Sequence, residues 1–149
     1  MNRRSILAPA AALLVLSVSP VSAEETRIKG AEIMKHPIGP LAVQYVDLVQ
    51  AGRMEDAVKL SYAKAQAEWT KYPGERASYT NFMKKMMPSK SDLDASLKSS
   101  AILIVDGNKA TLNVIKMEQQ SGSPGSVTGT STTVGIPFVM EAGKWKVGA

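Results

Sequence analysis

Residues 101–117 read AILIVDGNKATLNVIKM. A run of five apolar residues, mostly β-branched, enters Asp106-Gly107-Asn108-Lys109 and leaves as a second β-prone run. Asp-Gly supplies the positive φ that a tight hairpin turn requires, so the stretch predicts two antiparallel strands joined around Asp106-Gly107. "AILIV" is apolar at consecutive positions and therefore on both faces of its strand. That predicts self-association, a homodimer through the outer face of the sheet.

Downstream, "QQSGSPGSVTGTS" reads as a long flexible connection of small polar residues. Val134, Ile136, Phe138 and Met140 then alternate with Thr133, Gly135, Pro137 and Val139, the period of a half-buried strand with a bend near Gly135-Pro137. "EAGK" turns that strand back into "WKV", where Trp145 and Val147 share one face and Lys144 and Lys146 the other. Burying Trp145 removes about 150–250 Å² from water, worth at most about 4–6 kcal/mol. Trp145 is thus read first as a bolt that closes the fold and second as a pocket wall.

Upstream the periodicity changes to helical. Leu41, Tyr45, Leu48 and Val49 follow Pro40, which suits a first helical turn, and Gly52 stands where a left-handed cap is wanted. "RMEDAVKL" restarts at once, with Glu55 and Asp56 favourable to the helix dipole. "SYAKAQAEWTKYP" continues as helix or loose extension until Pro73-Gly74 breaks it. "ERASYTNFMKKMMP" is the clearest helix: Tyr79, Phe82, Met83, Met86 and Met87 form one apolar face, predicted to pack on the sheet, with Asn81, Lys84 and Lys85 turned away. "SKSDLDASLKSS" reads as a polar bridge.

Helices first and strands second argue for an α+β domain, with N-terminal helices packed on a curved, mainly antiparallel β-sheet. The expected organisation is a signal peptide over 1–23, a loose N-terminal segment over 24–39 and a single domain over 40–149. The first 23 residues combine basic Arg3 and Arg4, an apolar run from about Ile6 to Val18, and small residues at Val21-Ser22-Ala23. These are the parts of a secretory signal peptide, with cleavage between Ala23 and Glu24. The apolar run is shorter than the roughly 20 residues that span a bilayer, so no stable span is expected after cleavage. An uncleaved anchor is the alternative, and "RRSIL" leaves twin-arginine export open beside general secretion. The expected location is a bacterial periplasm or the exterior.

The net charge of +5 falls to +3 once Arg3 and Arg4 leave. Dispersed lysines at that level do not point to nucleic acid. With no cysteine, packing alone holds the fold, and thiol catalysis and Cys-based metal sites are excluded.

Three stretches, "YVDLVQAGRMEDAVKL", "LIVDGNKATLNVI" and "FVMEAGKWKV", together resemble the cone-shaped fold of nuclear transport factor and ketosteroid isomerase. They are most similar to small exported bacterial domains described as lumazine-binding-like. The resemblance covers roughly residues 40–147 and implies a cone between helices and curved sheet. Enzymes on this fold usually place an Asp in the cone, often with a His or Tyr partner. Fold alone does not assign function.

The chemistry-bearing residues form no coherent catalytic set. Asp47 shares a helix side with Gln44 and Gln50, opposite the apolar stripe; Asp106 and Glu141 sit in turns; Glu118 ends a strand. The one histidine, His36, precedes a proline, and a single His without Cys does not suit tetrahedral zinc. No metal or cofactor is expected. Tyr45, Tyr62, Phe82, Phe138 and Trp145 are the candidates to line an apolar pocket, and they compete with use as core. The expected function is an exported, non-enzymatic domain acting by contact with another envelope protein or by modest binding of a small apolar ligand. The alternative is an isomerase- or dehydratase-like enzyme or carrier using the cone.

Overall fold

The computed structural model describes residues 24–121 and 127–148. Strand β1 (Thr26–Lys29) leads through a 3-10 turn, Gly30–Lys35, into helices α1 (Ile38–Gln50), α2 (Met54–Lys59), α3 (Ala63–Lys71), α4 (Arg76–Met86) and α5 (Lys90–Lys98). Strands β2 (Ile102–Asp106), β3 (Lys109–Ser121), β4 (Val127–Glu141) and β5 (Lys144–Val147) follow. The α+β expectation holds: one open sheet, in the order β1-β2-β3-β4-β5 with every neighbour antiparallel, carries the helices on one face.

Local sequence explains the elements. Pro40 lies in the first turn of α1, where its missing N–H has no helical acceptor to lose. Ile38, Ala42, Tyr45, Val46 and Val49 recur at helical spacing and are all buried. Gly52 ends α1 at φ +75°, and the Arg53 N–H donates to Leu48 O at 2.9 Å, so α2 starts immediately. The β2–β3 loop is Gly107-Asn108, since Asp106 pairs with Lys109; a positive φ at Gly107 suits that first loop position. The β4–β5 loop is Ala142-Gly143, both at positive φ (50° and 76°).

Alternation sorts the sheet. Leu103, Ala110, Leu112, Val114, Ile136, Phe138 and Val147 face the helices and are buried, while Ile102, Ile104, Thr111 and Asn113 occupy the other face. Phe138 is nearly inaccessible, and Trp145 is half-buried against the same core.

Helix α5 completes the sheet laterally as well as covering it. Strand β2 pairs with β3 only as far as Asn113. Beyond it, Ser96 on α5 takes over: its Oγ accepts from the Ile115 N–H at 3.1 Å and donates to Ile115 O at 3.3 Å. One turn earlier on α5, Asp92 Oδ2 accepts from the Met117 N–H at 3.1 Å. Four helical residues rise about 6.0 Å and two strand residues about 6.8 Å, so the two periods match well enough for side chains to act as a substitute strand.

The structure departs from the sequence expectation at four places. The 24–39 segment, expected to be loose, contains β1, whose Ile28 sits opposite Leu103, and two fully buried anchors, Ile33 and Ile38. The expected polar bridge is helix α5, capped by Ser89 Oγ accepting from the Asp92 N–H at 3.0 Å, with Leu93 and Leu97 buried. The expected flexible connection is mostly ladder, because β3 and β4 stay paired from Lys109↔Val139 out to Ser121↔Val127. In α4 only Met83 is buried, so its apolar face is not simply laid on the sheet. Residues 1–23, with the expected export signal and the cleavage at Ala23, lie outside the described residues.

Candidate functional site

The five pocket candidates do not share a cavity. Tyr45 is buried inside α1, where burial first, then nearby Tyr79, pushes its phenol far above the ordinary tyrosine value against the opposing Ser61 hydroxyl. Phe138 is core. Trp145 packs on that core, with its ring centroid 6.0 Å from that of His36. Tyr62 precedes α3 and packs under the closing strand, so close to Gly148 that a β-carbon there would strike its ring. Phe82 lies outside, 55% exposed. Of these aromatic side chains, Tyr45 and Phe138 are buried in the core and Trp145 packs against it.

The ionisable candidates are also committed. Glu141 receives the Ala63 N–H at 3.0 Å, placing its carboxylate at the N-terminus of α3, where the helix dipole favours it. Asp47 pairs with Lys90 at 3.4 Å, its other carboxylate oxygen being buried without a partner among the described residues. Glu118 stands 3.5 Å from Lys116, and Asp106 is exposed at its hairpin. His36 accepts the Ile38 N–H at Nδ1 (3.3 Å), and burial lowers its pKa. Among the described residues no three His, Asp or Glu side chains cluster to hold a metal ion.

A cavity does exist in the arm formed by α3 and α4. Pro73-Gly74 starts a short 3-10 turn that connects α3 to α4. Between them and α2 lies a space of about 180 Å³ walled by Trp69, Tyr72, Tyr79 and Arg76, with Glu68 and Glu75 beside them and Met54, Val58 and Ser61 beneath. Arg76 fixes the wall. Its guanidinium stacks 5.0 Å from the Trp69 ring and donates to Trp69 O at 3.2 and 3.3 Å. The Tyr79 ring meets Trp69 at 6.1 Å in a tilted arrangement. Burial, with Tyr62 and Glu68 nearby, raises the Tyr79 phenol pKa. The Trp69 indole N–H is buried and has no acceptor among the described residues. A sequence signal for this wall existed: 65, 69, 72, 76 and 79 recur at alternating spacings of four and three, but the stripe crosses the Pro-Gly break.

The outward side of the arm is apolar. Tyr72, just past α3, and Tyr79, Phe82 and Met86 on α4 are each between 45% and 55% exposed, an unusual concentration of large hydrophobics on one arm. Below them, Gln50 Nε2 donates to the carbonyls of Lys84, Met87 and Pro88 and ties the end of α4 to α1. An open groove runs from there past Lys84, Lys85 and Met86 to Lys116 and Met117.

Comparison with protein-family models, with curated proteins and with solved structures returns no match to this chain.

Proposed function

We propose that the chain is an exported, non-enzymatic domain that works by contact with another envelope protein, and that the α3–α4 arm is its contact surface. The carrying observation is the exposed row of Tyr79, Phe82 and Met86 on α4 beside an aromatic-walled cavity. Buried anchors in pockets dominate protein interfaces. A space of about 180 Å³ is near the roughly 150 Å³ that takes one benzene ring, so it suits one large side chain of a partner. Glu68 and Glu75 in its wall belong to no ion pair among the described residues. They favour a partner whose anchor has an apolar body and a cationic tip. The export part of the reading rests on the N-terminal sequence pattern.

The test is site-specific photo-crosslinking in intact cells. A photoreactive residue at Phe82 should capture a discrete partner that the same residue at Lys109, on the sheet, does not. Phe82→Glu introduced beside a probe at Met86 should abolish capture. Because Phe82 is 55% exposed, Phe82→Glu should change stability by less than about 0.5 kcal/mol. Capture that is equal at both sites, or absent from both, would defeat the reading.

A further inference from the structure

We propose that the chain forms a homodimer through the free edge of β4, giving a sheet that runs continuously across two copies. This rests on backbone geometry and is independent of the contact role assigned to the arm.

The other sheet edges are each managed by a nameable device. The free edge of β1 carries Arg27, paired with Glu25 at 2.7 Å, and Lys29. The far edge of β5 is taken by residues 60–62: the Val147 N–H donates to Leu60 O at 2.9 Å and the Tyr62 N–H to Val147 O at 3.0 Å. Past the end of β2, the edge of β3 is met at Ile115 and Met117 by Ser96 and Asp92 of α5, and the charged Glu118 follows. The exception is β4. Strand β5 pairs with it only from Phe138 to Glu141, which leaves Val127–Ile136 joined to β3 on one side and to no described strand on the other.

The direction of the free groups follows from two hydrogen bonds. Pro137 O accepts the Gly148 N–H at 2.8 Å on the β5 side, whereas the Met140 N–H donates to Asn108 O at 2.8 Å on the β3 side. Backbone groups alternate along a strand. The N–H and C=O of Val127, Gly129, Ser131, Thr133 and Gly135 therefore point to the free edge. Natural proteins blunt such edges with charges, prolines or bulges. Residues 127–136, VTGTSTTVGI, contain no charged residue and no proline.

A second copy is the occupant these features fit. A two-fold axis at Ser131 sets Gly129 opposite Thr133 and Val127 opposite Gly135 of the second copy, so every outward group finds a mate. Thr130 then lies opposite Thr132, a favourable cross-strand pair. With no charge on the strand, the axis brings no like charges together. The outer sheet face, where the sequence suggested pairing, is less suited to self-contact because Arg27, Lys29, Lys109, Lys144 and Lys146 fall on it by alternation. A foreign peptide would meet no pocket or charge on this edge to select its sequence. The strand is about 30 Å long and the sheet about 10 Å deep, so pairing buries roughly 600 Å² in total, below the about 1,000 Å² of stable complexes. The dimer is consequently weak and concentration-dependent.

Sedimentation equilibrium of the purified protein from about 10 µM to 1 mM should show the mean mass climbing from monomer toward dimer. Ser131→Pro removes only an outward N–H and leaves the β3 ladder intact, a position where an edge strand tolerates proline; it should weaken the dimer at least tenfold with an unchanged melting temperature. Since the chain has no cysteine, Ser131→Cys should give a disulfide-linked dimer under mild oxidation, because facing residues at such a pair stand about 5.5 Å apart. A wild type that stays monomeric at 1 mM overturns the proposal. So does a dimer that survives Ser131→Pro, or one that is instead broken by Ile104→Lys on the outer face.

Discussion

Replacing Ser96 with alanine removes a single oxygen atom, yet it should be among the more damaging polar substitutions in the chain. Ser96 is 3% exposed, and its hydroxyl serves both backbone groups of Ile115, at 3.1 and 3.3 Å. Leaving a buried backbone group unpaired costs about 1–3 kcal/mol. Ile115 is only partly buried and the second bond is long, which puts the two losses near the low end, at about 2.5 kcal/mol together. Alanine returns about 0.5 kcal/mol through its better helix propensity, and the swap opens no cavity of consequence. The net expectation is a loss of about 2 kcal/mol, measured by urea unfolding at 25 °C followed by circular dichroism. Ser99→Ala is the control on the same helix, because the Ser99 hydroxyl donates to Ala95 O at an exposed site and should matter by less than about 0.5 kcal/mol. If Ser96→Ala is as mild as Ser99→Ala, α5 is not acting as a substitute strand.

Further predictions concern the closing turn, the last strand and the lone histidine. Trp145→Ala should destabilise by about 2–3 kcal/mol, under the roughly 3–5 kcal/mol of fully buried aromatics, because Trp145 is only half-buried; a mutant with wild-type urea resistance would show that it is not a bolt. Ala142 holds φ +50°, a conformation costing an L-residue about 1 kcal/mol or more, so Ala142→Gly should raise stability by about 0.5–1 kcal/mol, and a drop would refute the strain. Burial depresses the His36 pKa, so the unfolded chain binds more protons near its ordinary value of 6.5. Stability should therefore fall as pH drops through that value toward the folded pKa. His36→Gln should flatten the slope between pH 7.5 and 5, and an unaltered slope would exclude His36 as its source.

What could be read in advance depended on whether a residue's role was local. Gly107 and the Glu141–Lys144 turn announce hairpins because tight turns need specific φ values, and the alternation from Val134 to Met140 carries its own face assignment. Strand β1 was missed because an edge strand of four residues needs only one inward side chain, Ile28, and no period can be counted from one residue. Helix α5 offered Leu93 and Leu97 at i and i+4 with a Ser89 cap, but its third buried residue is Ser96, whose burial depends on a strand residue nineteen positions away. In α4 the periodicity was real and its meaning was not legible: Met83 faces the core, Phe82 and Met86 face solvent, and Tyr79 walls the cavity, and spacing alone cannot distinguish a core stripe from a contact stripe. The cavity depends on Trp69 and Tyr79 meeting across Pro73-Gly74, and the four-and-three spacing that links them is interrupted by that break, so it does not read as one helical face. Of the five aromatic candidates, Tyr45 and Phe138 are used as core and Trp145 packs against it.

The placement of all five helices between β1 and β2 also governs the order in which the molecule can assemble. Strands β2 to β5 are linked by successive hairpins, so their pairing needs only short loop closures and can proceed quickly. Strand β1 must find Ile102–Val105 across the entire helical layer, which imposes a much larger closure entropy. The meander should therefore form first, with β1 docking after Ile33 and Ile38 have seated on the packed helices. During synthesis the N-terminal strand emerges early and waits for the last third of the chain, so the order of translation opposes the order of folding. Until β1 arrives, the apolar edge of β2 is bare, and the time a nascent chain spends in that state sets its exposure to misassembly.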